Sequence, residues 1–197
     1  ETNEAKSGGA IKEAVQSIDN GGKRLVRTID LILNMSMVQT GNYDLSPRVL
    51  NIQEILFKLV TEFKAAAETK NIKLSLQNNS KNANVFVDEY TINQAFHNLI
   101  DNAVKYTRKG HIGVILFDSV NGVSVTIEDT GIGISEEYLQ KLFQPFSQEE
   151  SGYSRRFEGN GLGLALTKKY FELNNAKISV DSEKGKGTKF KIHFCNV

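Results

Sequence analysis

The stretch HNLIDNAVKYT, residues 97–107, decides how the rest of the chain is read. It closes a helical pattern that runs from about Glu89 to Tyr106. At about 100° per residue, Ile92, Phe96, Leu99 and Ala103 share one arc, which faces a core. Asn98, Asn102 and Lys105 share the neighbouring arc, with Tyr106 at its edge. One helix thus presents two carboxamides and an ammonium side by side above a buried stripe. Amide oxygens suit a hard cation such as Mg2+, and a lysine neutralises phosphate oxygens. A solvated polar face accounts for these residues equally well on their own.

Downstream, Asp129-Thr130-Gly131-Ile132-Gly133-Ile134 directly follows a strand. A carboxylate there can accept a hydrogen bond from an exocyclic amine such as that of adenine. Gly131 and Gly133 would let backbone approach a flat ring with no Cβ in the way. A plain Asp-Thr-Gly turn is the alternative. Phe143-Gln144-Pro145-Phe146 then opens a polar, glycine-bearing loop, residues 144–160, expected to be mobile. Gly159, Gly161 and Gly163, followed by Leu164, lead into a helix. Alternating glycines at a helix start offer backbone N–H groups to an anion, or they serve as a hinge. Arg155 and Arg156 in the loop can close over phosphates or simply solubilise it. Gly185-Lys186-Gly187-Thr188 reads by itself as a hairpin turn.

Around these motifs the chain organises itself. Residues 1–10 are polar and Gly-rich, and are expected to be a tag or linker outside the fold. Over residues 11–41, Ile11, Ile18, Leu25 and Ile32 recur every seven positions, with Val15, Gly22, Ile29 and Ser36 interleaved. This is a heptad seam suited to pairing with other helices. Residues 42–50 are expected to be a linker, and residues 51–197 the main domain. There, Ile52, Ile55, Leu56, Leu59, Val60 and Phe63 mark an amphipathic helix. Short strands are expected near 72–76 and 84–87, and a hairpin around Asn121-Gly122. Ser135 is expected to cap a helix reaching Phe143. After a helix over 161–173, two strands close the chain, with Phe190, Ile192 and Phe194 facing inward. Helices and strands mix without βαβ alternation. The fold class is therefore α+β: a two-layer sandwich with a mixed sheet, preceded by a long amphipathic helix.

Composition excludes several classes. The 197 residues carry a net charge of +1, which argues against nucleic acid or a membrane surface held by bulk charge. Cys195 is the only cysteine, so a disulfide framework is ruled out and a reducing, cytoplasmic setting is expected. No apolar run approaches the roughly 18 residues of a membrane span, so any anchor would belong to a longer parent. Rossmann, P-loop and protein-kinase signatures are absent. The third Rossmann glycine would fall where Leu164 stands.

Each motif alone is weak, yet their order is specific. NLxxNAxKYT, DTGIGI, FxPF, GxGLGLAL and GxGT together resemble the N, G1, F and G2 boxes of the histidine-kinase ATPase domain. That domain belongs to the Bergerat-fold superfamily, and the resemblance covers roughly residues 50–197. Residues 33–41 resemble the end of the second helix of the kinase dimerisation hairpin. The resemblance implies ATP and Mg2+ as cofactors. Asn102 would hold the metal, supported by Asn98, and Lys105 would contact phosphate. Tyr106 would pack on adenine and Asp129 would bind its amine, with Gly131 and Gly133 shaping that wall. Gly159, Gly161, Gly163 and Leu164 would frame the phosphate end, beneath a lid bearing Arg155 and Arg156. Thr188 would lie near the adenine. Implied partners are the parent's own dimerisation helix, a homodimer mate and the receiver domain of a response regulator.

Position 98 separates branches of the superfamily. Hydrolysing members carry a glutamate four residues before the metal-binding asparagine, acting as general base. Asn98 cannot take a proton, which favours phosphoryl donation over hydrolysis. The family's phosphoacceptor histidine motif does not occur in the chain, and the first hairpin helix is missing. Asn174-Asn175-Ala176 stands where the family carries His-Gly-Gly. The resulting expectation is the phosphoryl-donating half of a two-component histidine kinase, unable to phosphorylate itself alone. The competing reading is a nucleotide-binding pseudokinase or scaffold acting through its helical seam.

Overall fold

A computed structural model describes residues 2–149 and 160–195, the side chains of 2–13, 20 and 24 excepted. The chain divides into two units, residues 1–43 and 44–197. The first is one helix, α1 (Thr2–Gln39). It starts earlier than expected, since residues 2–10 continue the helix despite their glycines. It ends as expected, with Gly41 at φ +71° in the left-handed conformation that favours glycine. Among the described seam residues, Val15, Ile18, Leu25, Ile29 and Ile32 are all exposed.

The second unit contains β1 (Pro47–Asn51), α2 (Ile52–Thr69), β2 (Ile72–Asn79), β3 (Asn84–Asp88) and α3 (Glu89–Tyr106). These are followed by β4 (Gly110–Ser119), β5 (Gly122–Asp129), α4 (Glu136–Leu139), α5 (Gly163–Leu173), β6 (Ala176–Glu183) and β7 (Gly187–Cys195). The main sheet runs β2-β4-β5-β7-β6, with β2 parallel to β4 and every other pair antiparallel. It is the mixed sheet expected, with helices packed on it. The supposed linker 42–50 differs: its last four residues belong to β1, which pairs antiparallel with β3 as a separate small sheet. Pro47 masked this strand in the sequence, because proline is tolerated only where its missing N–H is not needed.

Alternation puts Ile112, Val114 and Leu116 of β4, Val123, Val125 and Ile127 of β5, and Phe190, Ile192 and Phe194 of β7 in the core. Ile52, Ile55, Leu56 and Leu59 of α2 and Ile92, Phe96, Leu99 and Ala103 of α3 are buried, as their periodicity requires. Phe96 meets Phe171 edge-on at 5.3 Å, and both rings lie 6.2 Å from Phe194. This aromatic cluster ties α3, α5 and β7 together.

Helix α3 is aimed from its start. The Asp88 carboxylate caps it by accepting from the Thr91 N–H at 2.9 Å, and also accepts from the Ser46 N–H at 3.1 Å. Burial opposes the Asp88 charge, but these donors outweigh it and hold the carboxyl below its ordinary value. Asn174 closes the same corner from α5. Its Oδ1 accepts from the Asp88 N–H at 2.6 Å, and its Nδ2 donates to Thr91 Oγ1 and to the Tyr170 carbonyl, both at 2.8 Å. Asn175 then takes φ +53°, the left-handed value that asparagine tolerates. The Asn-Asn-Ala turn is thus a buried tie between the end of one helix and the start of another. Asn174→Ala strands several buried polar groups, so it should cost about 2–3 kcal/mol. Urea denaturation would measure this as a lower midpoint at unchanged slope.

Candidate nucleotide site

The last two turns of α3 carry Asn98, Asn102, Lys105 and Tyr106, all half-buried. Asn98 faces α5. Its Nδ2 donates to Thr167 Oγ1 at 2.8 Å, and a Cβ on Gly163 would lie 2.7 Å from its Oδ1. Gly163 therefore lacks a side chain because α5 begins directly against Asn98. One turn on, Lys105 Nζ lies 5.1 Å from the Tyr106 ring centroid.

Asp129 ends β5, directly opposite Thr188 of β7 in the antiparallel register. Its Oδ1 accepts from the Gly131 N–H at 2.8 Å, and its carboxylate also accepts from the Thr188 N–H. Burial dominates over these two donors and pushes the carboxyl above its ordinary value. A Cβ on Gly131 would lie 2.7 Å from both Asp129 Oδ1 and the Tyr106 carbonyl. Gly133, at φ +63°, is pressed harder still against the Glu183 carbonyl, and Gly187, at φ +111°, against that of Asp129. Gly185 donates to the Ile132 carbonyl at 2.8 Å. Ser182 Oγ accepts from the Ile134 N–H at 2.9 Å and donates to the Gly187 carbonyl at 2.8 Å. With its proton so placed, Ser182 Oγ accepts from Thr188 Oγ1 at 3.0 Å. The DTGIGI loop and the GKGT hairpin are one welded wall. The sequence alone offered only a turn for the second.

At the other end, Phe146 N–H donates to the Gly161 carbonyl at 2.9 Å. Gly161 sits at φ +70°, with no room for a Cβ beside Phe146 and Ser147. The ends of the 144–160 loop are therefore held together by backbone. Tyr138 OH donates to the Ser147 carbonyl at 2.9 Å. Glu149 accepts from the Ser135 N–H at 3.0 Å and pairs with Lys184 Nζ at 2.7 Å. Burial works against the Glu149 charge, but Lys184 and Ser135 outweigh it and keep its carboxyl below the usual value. Neither Glu149 nor Lys184 had a sequence signal, since each looks like an ordinary surface charge. Helix α4 is only the four residues Glu136–Leu139, capped by Ser135 as expected but shorter than the helix to Phe143. Helix α5 begins at Gly163, and among the described residues no side chain caps it at Leu162. Leu164 is half-buried in its first turn. Arg155, Arg156 and Gly159, and the mobility expected of that loop, lie outside the described residues.

Two of the three histidines are engaged through their rings, while His111 is exposed. His97 stacks edge-on with Phe63 at 4.9 Å and lies 3.5 Å from Glu62. His193 Nδ1 is held by the Ser119 and Ser124 hydroxyls at 3.0 and 3.1 Å. His111 lies at the start of β4.

Comparison with known proteins agrees with this geometry. Residues 87–196 match the family of histidine kinase-, DNA gyrase B- and HSP90-like ATPases. An uncharacterized sensor-like histidine kinase of Rhizobium meliloti is 33% identical over 180 residues, covering 90% of this chain and 34% of its own length. The sensor histidine kinase GacS of Pseudomonas protegens is 33% identical over 183 residues, covering 89% of this chain and 20% of its own. The chain thus spans between a fifth and a third of these relatives. Among solved structures, full-length ShkA in complex with AMPPNP superposes with a TM-score of 0.81 at 23% identity, over 94% of this chain and 39% of that one. Histidine kinase ThkA in complex with the response regulator protein TrrA superposes with a TM-score of 0.74 at 24% identity, over 95% and 52%. At these identities the likeness is one of fold.

Two glycines separate backbone conformation from crowding. Gly185, at φ +83°, has open space around its Cβ position, whereas Gly133 has none. Gly185→Ala should cost about 1–2 kcal/mol, the left-handed penalty alone. Gly133→Ala adds a collision with backbone and should cost about 3–5 kcal/mol. Thermal melts of the two variants check the difference.

Proposed function

Because the chain belongs to the histidine kinase-, DNA gyrase B- and HSP90-like ATPase family, as a catalytic ATP-binding domain of the sensor histidine kinase kind, we propose that it binds Mg-ATP and donates the γ-phosphate to a histidine outside these 197 residues. Asp129 carries this reading: it is a desolvated carboxylate at a strand end, walled by glycines that leave no room for a Cβ. Such a group accepts a hydrogen bond from the adenine amine, which adds a third donor to the two that burial outweighs. Tyr106, braced by Lys105, offers a flat face for the base. Thr188 is placed to orient the base from beside Asp129.

The remaining residues fit the phosphate end. Bound ATP would supply the activated phosphoryl group, and Mg2+ held beside Asn102 would supply positive charge to the phosphate oxygens. The Asn102 amide oxygen is a hard donor of the type Mg2+ accepts alongside phosphate oxygens and water. Lys105 is the cation for phosphate. The uncapped start of α5, with Gly161, Gly163 and Leu164, presents backbone amides to an anion. Asn98, tied to Thr167, holds α5 in place and provides no base for water. Among the described residues, no helix is long and apolar enough to cross a membrane. In the parent protein, the partners of this reading are a dimerisation helix, a second protomer and a response-regulator receiver domain.

Calorimetric titration with ATP tests the Asp129 assignment. Asp129→Asn should weaken binding by about tenfold or more, since hydrogen bonds to charged groups are worth about 1.5–3 kcal/mol. Its melting midpoint at pH 7 should not fall. The carboxyl's folded pKa lies above its unfolded one, so ionisation opposes folding, and the variant removes that penalty. Wild-type affinity should fall as acidification protonates Asp129, beginning above the pH at which an ordinary aspartate titrates. Omitting Mg2+ should weaken wild-type binding as well.

Radiolabelled ATP tests the donor role. The isolated chain should bind ATP yet acquire no acid-labile label, because none of its three histidines lies in the family's phosphoacceptor motif. Adding the parent's acceptor helix should restore labelling. Label on the chain alone would show that one of its own histidines is the acceptor.

A further inference from the structure

The last four carbonyls of a helix have no partner within it, so the end of α3 requires four donors from elsewhere. All four are present. Thr107 N–H reaches the Ala103 carbonyl at 3.0 Å, and Ile132 N–H reaches that of Tyr106 at 3.2 Å. The two between them, Val104 and Lys105, are served by one side chain: Lys70 Nζ donates to their carbonyls at 2.8 and 3.3 Å. Lys70 is itself firmly placed. It is the C-cap of α2, with its own N–H bonded to the Ala67 and Glu68 carbonyls. Asn71 follows at φ +56°, which ends the helix there.

We propose that Lys70 is a positioning residue for nucleotide binding, acting through the final turn of α3. An ammonium at a helix C-terminus satisfies carbonyls and opposes the negative end of the helix dipole. Without it, two adjacent carbonyls turn to water and the last turn frays. That turn carries Lys105 and Tyr106, follows directly on Asn102, and contacts the adenine wall through Ile132. Lys70 itself touches no nucleotide in this account. The inference rests on the ATP-binding reading, and none of the motifs includes this residue.

The test combines nucleotide affinity with hydrogen exchange on the full chain. Lys70→Met keeps most of the stem and removes the donor. It should speed exchange at the Thr107 and Ile132 amides without nucleotide, and weaken Mg-ADP binding about three- to tenfold. Lys70→Arg, which can still donate, should restore affinity to within about twofold of wild type. Asn78→Ala breaks the 2.7 Å Asn78–Gln53 bond between β2 and α2, and should leave affinity unchanged. Unchanged exchange in Lys70→Met would overturn the proposed lock. Faster exchange with wild-type affinity, failure of arginine to rescue, or equal weakening by Asn78→Ala would overturn the positioning role. Failure of the wild-type chain to bind Mg-ADP would instead sink the ATP-binding reading, and the exchange result would still decide whether the helix end is locked.

Discussion

Both backbone polar groups of Ile132 are engaged outside its own loop. Its N–H goes to the Tyr106 carbonyl at the end of α3, and its C=O receives the Gly185 N–H from the β6–β7 hairpin. One residue therefore fixes three elements that are distant in sequence. The glycines around it follow from that constraint. Gly131 must clear the Tyr106 carbonyl, Gly133 the Glu183 carbonyl and Gly187 the Asp129 carbonyl. Any Cβ at these places would push the wall off the helix and open the gap in which Asp129 stands. The DTGIGI and GKGT motifs are spaced as they are because the two loops touch through bare backbone.

Close packing has an electrostatic consequence. The wall that supplies backbone donors to Asp129 also removes it from water, and desolvation outweighs the donors. Asp88 shows the opposite balance in the same fold: more donors converge on it, and its carboxyl lies below the ordinary value. Asp88 is a capping acid whose hydrogen bonds complete it. Asp129 has fewer donors and burial prevails, and in the proposed function the adenine amine is the donor that completes it.

Much of this was legible in the sequence, for a physical reason in each case. The α3 stripe, the Asn121-Gly122 hairpin and the alternation of β7 are periodic patterns over long segments, and periodicity reports directly on which face is buried. Glycine motifs reported the site because only glycine fits at those contacts. Other features had no such code. Strand β1 is five residues opening on proline and pairs with a strand far along the chain. Helix α1 runs through Gly8 and Gly9, where local propensity argued for a loop. Lys70, Glu149 and Lys184 act only through the partners that folding brings to them, and a lone lysine or glutamate looks the same on any surface. Asn174 appeared as a departure from the family pattern, and only its three buried side-chain hydrogen bonds show what the departure accomplishes.

The two ends of the proposed site are coupled through the same short length of helix. The adenine wall joins α3 at the Tyr106 carbonyl, and the glycine-bearing start of α5 joins it at Asn98, two turns earlier. Asn102 lies between these joints. A displacement of α5 along α3 therefore changes the spacing between the first amides of α5 and the Asn102 side chain, while the Asp129 wall stays anchored at the far end. This arrangement explains the value of an uncharged amide at position 98. A carboxylate there could also have accepted a bond from Thr167, so the hydrogen bond alone does not select asparagine. What the amide excludes is a basic oxygen beside the glycine-bearing start of α5. In the proposed function it leaves a joint that positions a phosphoryl group without offering water a base.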